Sequence, residues 1–271
     1  MKRTTERRIA PGVIGGLVLA CIGMIAVQAE ALEAPIPRNA LKQGSEFTSA
    51  ENRALQADNF ANPGMLWVTR GARLWRETAA SGDKACASCH GDGAASMKGV
   101  ATRYPRIDAG AARLVNLPGR INLCRERNQG QPPLALESDD LLALTAYVTH
   151  QSRGLPMNVT IDAQNGPDFE RGRGRYYRRS GQLNLSCAQC HDRNWGRTLL
   201  NESISQGHGT GWPAYRQGWE ALGSLERRIR ACYSGLRAEM PEYGARELLE
   251  LELFLAWRAN GLPIESPGVR R

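Results

Sequence analysis

Cys86-Ala-Ser-Cys89-His90 and Cys187-Ala-Gln-Cys190-His191 decide the reading of this 271-residue chain. Each is a Cys-x-x-Cys-His pentapeptide, the pattern of covalent c-type haem attachment, in which two thiols form thioethers with the haem vinyl groups. The histidine that follows lies under the iron and supplies its proximal nitrogen ligand. One match could arise by chance. Two on one chain point to two covalent haem c groups, with Cys86, Cys89, Cys187 and Cys190 attaching them and His90 and His191 on the irons. A zinc site built from two Cys-x-x-Cys knuckles competes with this reading, but it would not need a histidine after each pair.

Around the two pentapeptides the sequence repeats itself. Gly71-Ala-Arg-Leu-Trp75 and Gly172-Arg-Gly-Arg-Tyr176 each place a glycine one helical turn before an aromatic, where a helix could approach a neighbour closely. Trp75 precedes Cys86 by 11 residues, and Tyr176 precedes Cys187 by the same 11. Further on, Arg120 stands four residues before Cys124 and Arg228 four before Cys232. Each half closes with an apolar run, Asp140 to Thr149 and Glu247 to Trp257, stopped at Gly154-Leu155-Pro156 and Gly261-Leu262-Pro263. The order of glycine-aromatic helix, haem motif, ligand loop and closing helix resembles a class I cytochrome c domain. The expected fold is therefore all-α, with two tandem domains, residues 30–160 carrying haem 1 and residues 161–271 carrying haem 2.

The sixth iron ligand departs from the ordinary pattern. A methionine is usual, yet Met157 and Met240 do not occupy repeated positions, whereas Cys124 and Cys232 do. Thiolate sulfur is a competent ligand for haem iron and favours its ferric state. A disulfide between these two cysteines, or two buried free thiols, are the competing readings. His150 and His208 are rival ligands without a counterpart across the repeat.

The N-terminus reads as a secretory signal peptide: a basic start, an apolar run from about Val13 to Val27, and small residues around Ala29. Cleavage after Ala29 leaves no membrane span and places the mature chain in the periplasm. Residues 1–29 carry +3 of the formal net charge of +8. Without a Lys/Arg tract interleaved with aromatics, the charge does not argue for nucleic acid. The cluster Arg171, Arg173, Arg175, Arg178 and Arg179 reads as a solvated helix face. Hydrophobic residues make up 42% and aromatics 6% of the chain, lean for two interiors unless large apolar cofactors help fill them.

The two haem motifs, the paired Cys124 and Cys232, and the Arg228-to-Cys232 spacing resemble the SoxA subunits of the SoxAX cytochromes of sulfur-oxidising bacteria, from roughly Pro37 to Pro263. The resemblance implies His/Cys ligation at both irons: His90 and Cys124 for haem 1, His191 and Cys232 for haem 2. It further implies that haem 2 is the catalytic one, with Cys232 carrying a persulfide sulfur. The implied activity joins thiosulfate oxidatively to a cysteine of a SoxY-type sulfur carrier protein and passes two electrons to a SoxX-type monohaem cytochrome in a heterodimer. Arg228 would bind the sulfonate end of thiosulfate, although Arg227, Arg230 or a propionate salt bridge are alternatives for that region. A dihaem thiosulfate dehydrogenase forming tetrathionate and a plain dihaem electron carrier remain the other functional readings.

Overall fold

The helices form where capping and apolar periodicity coincide. In chain order they are α1 (Ala50–Ala57), α2 (Met65–Arg76), α3 (Cys86–His90), α4 (Gly93–Ser96), α5 (Leu117–Gln129), α6 (Asp139–His150), α7 (Gly166–Tyr177), α8 (Cys187–His191), α9 (Leu225–Gly235) and α10 (Arg246–Arg258). This computed structural model describes residues 1, 36–78 and 84–271. The expected signal peptide lies, but for Met1, outside the described residues, among which no helix is long and apolar enough to cross a membrane.

The closing helices are the cores of the two halves. Ser138 caps α6 by accepting from the Leu141 amide, Asp139 and Asp140 favour the positive end of the helix dipole, and every residue from Leu141 to Thr149 is buried. In α10 the run Leu248–Ala256 is buried throughout. Against these helices pack α2 and α7, and the repeated glycines explain how. A β-carbon on Gly71 would stand 2.1 Å from the Ala143 carbonyl oxygen, and one on Gly172 would stand 2.0 Å from that of Glu250. The close approach expected from the glycine-aromatic spacing is present in both halves at the same place. One turn later Trp75 and Tyr176 bury their rings beside the haem motifs.

Helices carry the cores, and three small sheets accompany them. Strands β1 (Arg106–Asp108) and β2 (Arg113–Val115) pair antiparallel, as do β3 (Thr198–Leu199) and β4 (Glu202–Ser203). In the third sheet β5 (Ala214–Arg216) pairs antiparallel with β6 (Ala221–Gly223) and parallel with β7 (Gly268–Arg270).

The sheets interlock the halves. Leu114 of β2 joins the core built on α10, while Leu222 of β6 joins the core built on α6. The segment before α2 also lies on the later half: the Lys42 amide donates to Gln206 Oε1 at 2.8 Å, and the Asn62 side chain donates to the Pro267 carbonyl at 2.9 Å. Pro35–Arg271 is thus one compact unit.

Candidate functional site

In the later half, the pentapeptide forms the single short turn of α8. Ser186 and Gln189 close it with reciprocal side-chain-to-amide bonds, Gln189 N to Ser186 Oγ at 3.3 Å and Ser186 N to Gln189 Oε1 at 2.8 Å. His191 then donates from Nδ1 to the Ser205 carbonyl at 2.7 Å. That bond fixes the tautomer and leaves Nε2 as the free electron pair. Gly207, with φ +75°, presses its backbone against the ring; a β-carbon there would lie 3.0 Å from the imidazole Cγ. Cys232, on α9, lies beside His191.

The electrostatics of the thiols differ. Burial pushes the Cys187 thiol up to about 12, and the neighbouring Cys232 charge adds to the effect. Burial acts on Cys232 in the same direction, but the hydrogen bond with His191 and the charges of Arg228 and Arg216 outweigh it and hold this thiol below its ordinary value. The donor set therefore fits a covalent haem: two free thiols on α8, an imidazole whose other nitrogen is anchored, and a thiol facing it that is biased toward thiolate. All six cysteines from Cys86 to Cys232 are free, so Cys124 and Cys232 are not joined. The two Cys-x-x-Cys pairs sit against different cores and do not converge.

A buried polar network braces His191 from behind. Arg258 pairs with Asp192 Oδ1, both side chains almost fully buried, and donates from Nη1 to the Gln206 carbonyl at 3.0 Å. Tyr176 donates to the same Asp192 oxygen at 2.7 Å, and the Arg258 guanidinium stacks 4.4 Å from the Tyr176 ring centre. Sequence reading overlooked this network; an aspartate directly after the motif was its only local trace. His208 hydrogen-bonds Gln206 Oε1 at 3.2 Å, and burial, Arg258 and His191 depress its pKa to about 3. His150 is likewise held neutral by burial. Neither takes the place facing His191, which Cys232 occupies.

The earlier half is built differently. Trp75 donates from its indole nitrogen to the Gly91 carbonyl at 3.0 Å, and its ring lies 5.7 Å from that of His90. Cys89 and His90 are exposed. Cys124 accepts from Asn128 at 3.4 Å and raises the pKa of nearby Cys86 by its charge, after the larger effect of burial. The structure brings Cys124 to the motif, where its charge reaches Cys86, whereas the charge of His191 reaches Cys232 in the later half.

The paired arginines diverge too. Arg120 forms an ion pair with Asp108 at 2.6 Å. Arg228 has no carboxylate within 4 Å among the described residues, and its charge falls on Cys232. Its neighbours are engaged: Arg227 stacks 4.2 Å from the Trp219 ring centre, while Arg230 stacks on Tyr243 and donates to the Pro241 carbonyl. The arginine cluster on α7 is not simply a solvated face. Arg171 and Arg175 reach the buried Glu250 of α10, at 2.5 and 3.4 Å, because a buried carboxylate requires partners.

Comparison with known proteins gives a consistent set of relatives. Residues 70–157 match the family described as SoxA/TsdA, cytochrome c domain. The chain is 40% identical over 98% of its length to the L-cysteine S-thiosulfotransferase subunit SoxA of Pseudaminobacter salicylatoxidans, covering 99% of that protein. Against the same subunit of Paracoccus pantotrophus it is 35% identical, covering 84% of this chain and 78% of the relative. The crystal structure of SoxXA from P. pantotrophus superposes with a TM-score of 0.81 at 34% identity, over 85% of this chain and 87% of that one.

Proposed function

This chain belongs to the SoxA family of L-cysteine S-thiosulfotransferase subunits, and from that membership and the geometry around Cys232 we propose that it joins thiosulfate to a cysteine of a SoxY-type carrier protein in the periplasm. It is a c-type cytochrome. The finer reading is of two covalent haems in two tandem cytochrome c-like halves, with His90 and Cys124 on the first iron and His191 and Cys232 on the second. The single observation that carries the catalytic assignment is the placement of Cys232 beside the anchored His191 and under the charge of Arg228, which has no carboxylate partner among the described residues.

The reaction forms a sulfur–sulfur bond between the sulfane sulfur of thiosulfate and the carrier thiol, which loses its proton; two electrons leave to a SoxX-type cytochrome. Haem c, held covalently by Cys187 and Cys190 with His191 and Cys232 as iron ligands, would supply the redox centre that takes up the electrons. The rest falls to the chain. Loss of two electrons would join the sulfane sulfur of thiosulfate to the sulfur of Cys232 as an S–S–SO3 group, and the carrier thiolate would then attack that sulfane sulfur in a disulfide-like exchange, taking the whole S–SO3 group and releasing Cys232 as thiolate. Arg228 presents a planar, permanently charged fork to the sulfonate oxygens. The Ser205 carbonyl and Gly207 keep His191 in one orientation.

The test is incubation of the holoprotein and its partner cytochrome with thiosulfate and the reduced carrier, followed by intact mass of the carrier and quantification of reduced cytochrome. A thiosulfonate adduct with two electrons per adduct supports the reading. Tetrathionate without an adduct would replace it with thiosulfate dehydrogenation.

A further inference from the structure

The two halves carry the same strand-turn-helix unit in the same register. In β1–β2, Asp108 pairs with Arg113; in β5–β6, Arg216 pairs with Ala221. Each unit then caps its helix alike: Asn116 accepts from the Gly119 amide to start α5, and Ser224 accepts from the Arg227 amide to start α9. Arg120 and Arg228 follow at the same helix position, then Cys124 and Cys232. The residue that stands in register with Asp108 is therefore Arg216, a reversal of charge at one position of a shared scaffold.

The reversal changes what each arginine can do. In the earlier unit Asp108 is buried and bridges Arg120 at 2.6 Å and Arg127 at 2.9 Å. That arginine has its anion built in. In the later unit Arg216 stands on the strand where Asp108 stands beside Arg120, next to the helix that carries Arg228, and both charges favour the thiolate of Cys232. Arg216 and Arg227 also both lie over one indole, at 5.1 and 4.2 Å from the Trp219 ring centre, so β5 and α9 meet at a common aromatic post. Arg216 gives Nη2 to Glu202 at 2.7 Å and Nε to the main-chain oxygen of Arg271, the last residue of the sequence, at 2.5 Å. Its Nη1 has no partner among the described residues.

We propose that Arg216 is a second anion-binding residue of the Cys232 site, holding the sulfonate of thiosulfate together with Arg228, and that Asp108 denies the Cys124 site this role. The inference rests on the functional reading above and deepens it. Thiosulfate is a dianion, and two convergent forks match its charge where one would leave a negative charge unpaired beside the anionic sulfur of Cys232.

The experiment compares wild type, Arg216→Gln, Arg216→Lys, Arg228→Gln and Glu202→Gln in the holocomplex with its partner cytochrome. Readouts are KM and kcat for thiosulfate in the carrier assay and calorimetric binding of thiosulfate to the oxidised complex without carrier. Arg216→Gln is expected to raise KM and Kd about tenfold, the loss of one charge-assisted contact, with kcat changed less than about threefold and the haem absorption spectrum unchanged. Arg216→Lys restores part of the binding. Glu202→Gln, which frees Arg216 from its carboxylate, tightens KM about twofold to threefold. The proposal is overturned if Arg216→Gln keeps KM and Kd within about twofold of wild type while Arg228→Gln does not. Should Arg216→Gln fail to fold, an unchanged KM in Glu202→Gln overturns it equally. A wild-type complex that neither binds nor conjugates thiosulfate would instead bring down the functional reading, and this inference with it, before any variant is compared.

Discussion

Gly172 touches the backbone of Glu250: a β-carbon at that glycine would stand 2.0 Å from the Glu250 carbonyl oxygen and 2.6 Å from its carbon. Backbone cannot rotate away as a side chain can, so the two helices would have to part. Gly71 and Ala143 repeat the contact in the other half. We expect Gly172→Ala and Gly71→Ala each to lower stability by about 1–3 kcal/mol in spite of alanine's better helix propensity. Thermal unfolding of the holoproteins measures this, and a rise in Tm would refute the contact.

That glycine contact was readable in the sequence because it is local: a glycine and an aromatic one turn apart, placed at a fixed distance before a haem motif. The six paired cysteines and the two histidines were readable for the same reason. What escaped was everything that depends on pairing distant segments. Strands of three residues are too short to show alternation, so β1, β2, β5 and β6 left no signal, and neither did the exchange of Leu114 and Leu222 between cores. Arg120 and Arg228 looked equivalent by spacing, and only the strand register distinguishes them by setting Asp108 beside one and Arg216 in line with the other.

Asp108 lends the earlier half a dependence on acid. The Arg127 hydrogen bond, the Ala111 amide and Arg120 together outweigh burial and hold its carboxyl at about 2, below the ordinary 3.8. A depressed folded-state pKa contributes stability that is present above the unfolded pKa and lost as pH falls through the folded one. Wild type should therefore lose stability between about pH 4 and pH 2. Asp108→Asn should be the less stable protein at pH 6, with the difference shrinking toward pH 2, in denaturant unfolding followed across that range.

Glu252 runs in the opposite direction. Buried at the wall of a cavity of ≈ 120 Å³, it shares the Asn116 amide with Glu226, at 3.0 and 3.2 Å. Burial, reinforced by the charge of Glu226, raises its pKa well above the carboxylate range. A raised folded-state pKa leaves stability intact below the unfolded value, about 4.3, and erodes it as pH climbs. Glu252→Gln keeps an acceptor for Asn116 and removes the titration. Its Tm should exceed that of wild type at pH 8, with the two converging toward pH 4; a variant less stable than wild type at pH 8 would contradict this.

Arg258 is a cationic partner of Asp192, and both side chains are almost wholly buried. Removing one member of a buried pair strands the other, at a cost of about 3–5 kcal/mol. Arg258 also holds the Gln206 carbonyl, between the Ser205 and Gly207 contacts of His191. Arg258→Gln should lower Tm and broaden the electron paramagnetic resonance signal of the His191 haem, leaving that of the His90 haem as it was. A signal unchanged at both haems alongside a lowered Tm would mean that Arg258 stabilises the core without positioning His191.

The two ligand cysteines should differ most in the reaction. Cys232 faces His191, is biased toward thiolate, and lies beside an arginine with no internal anion. Cys124 accepts from Asn128, and its nearest repeated arginine is neutralised by Asp108. Methionine in place of either retains a soft sulfur for iron but cannot carry a transferable sulfur. Cys124→Met should therefore retain most conjugation activity, and Cys232→Met should abolish it while both haems stay covalently attached. The assay is formation of the carrier thiosulfonate under saturating thiosulfate, with haem content checked by mass. Equal losses in the two variants would remove the asymmetry on which Cys232 is assigned as the reacting sulfur, because the charge reversal from Asp108 to Arg216 would then have no chemical consequence.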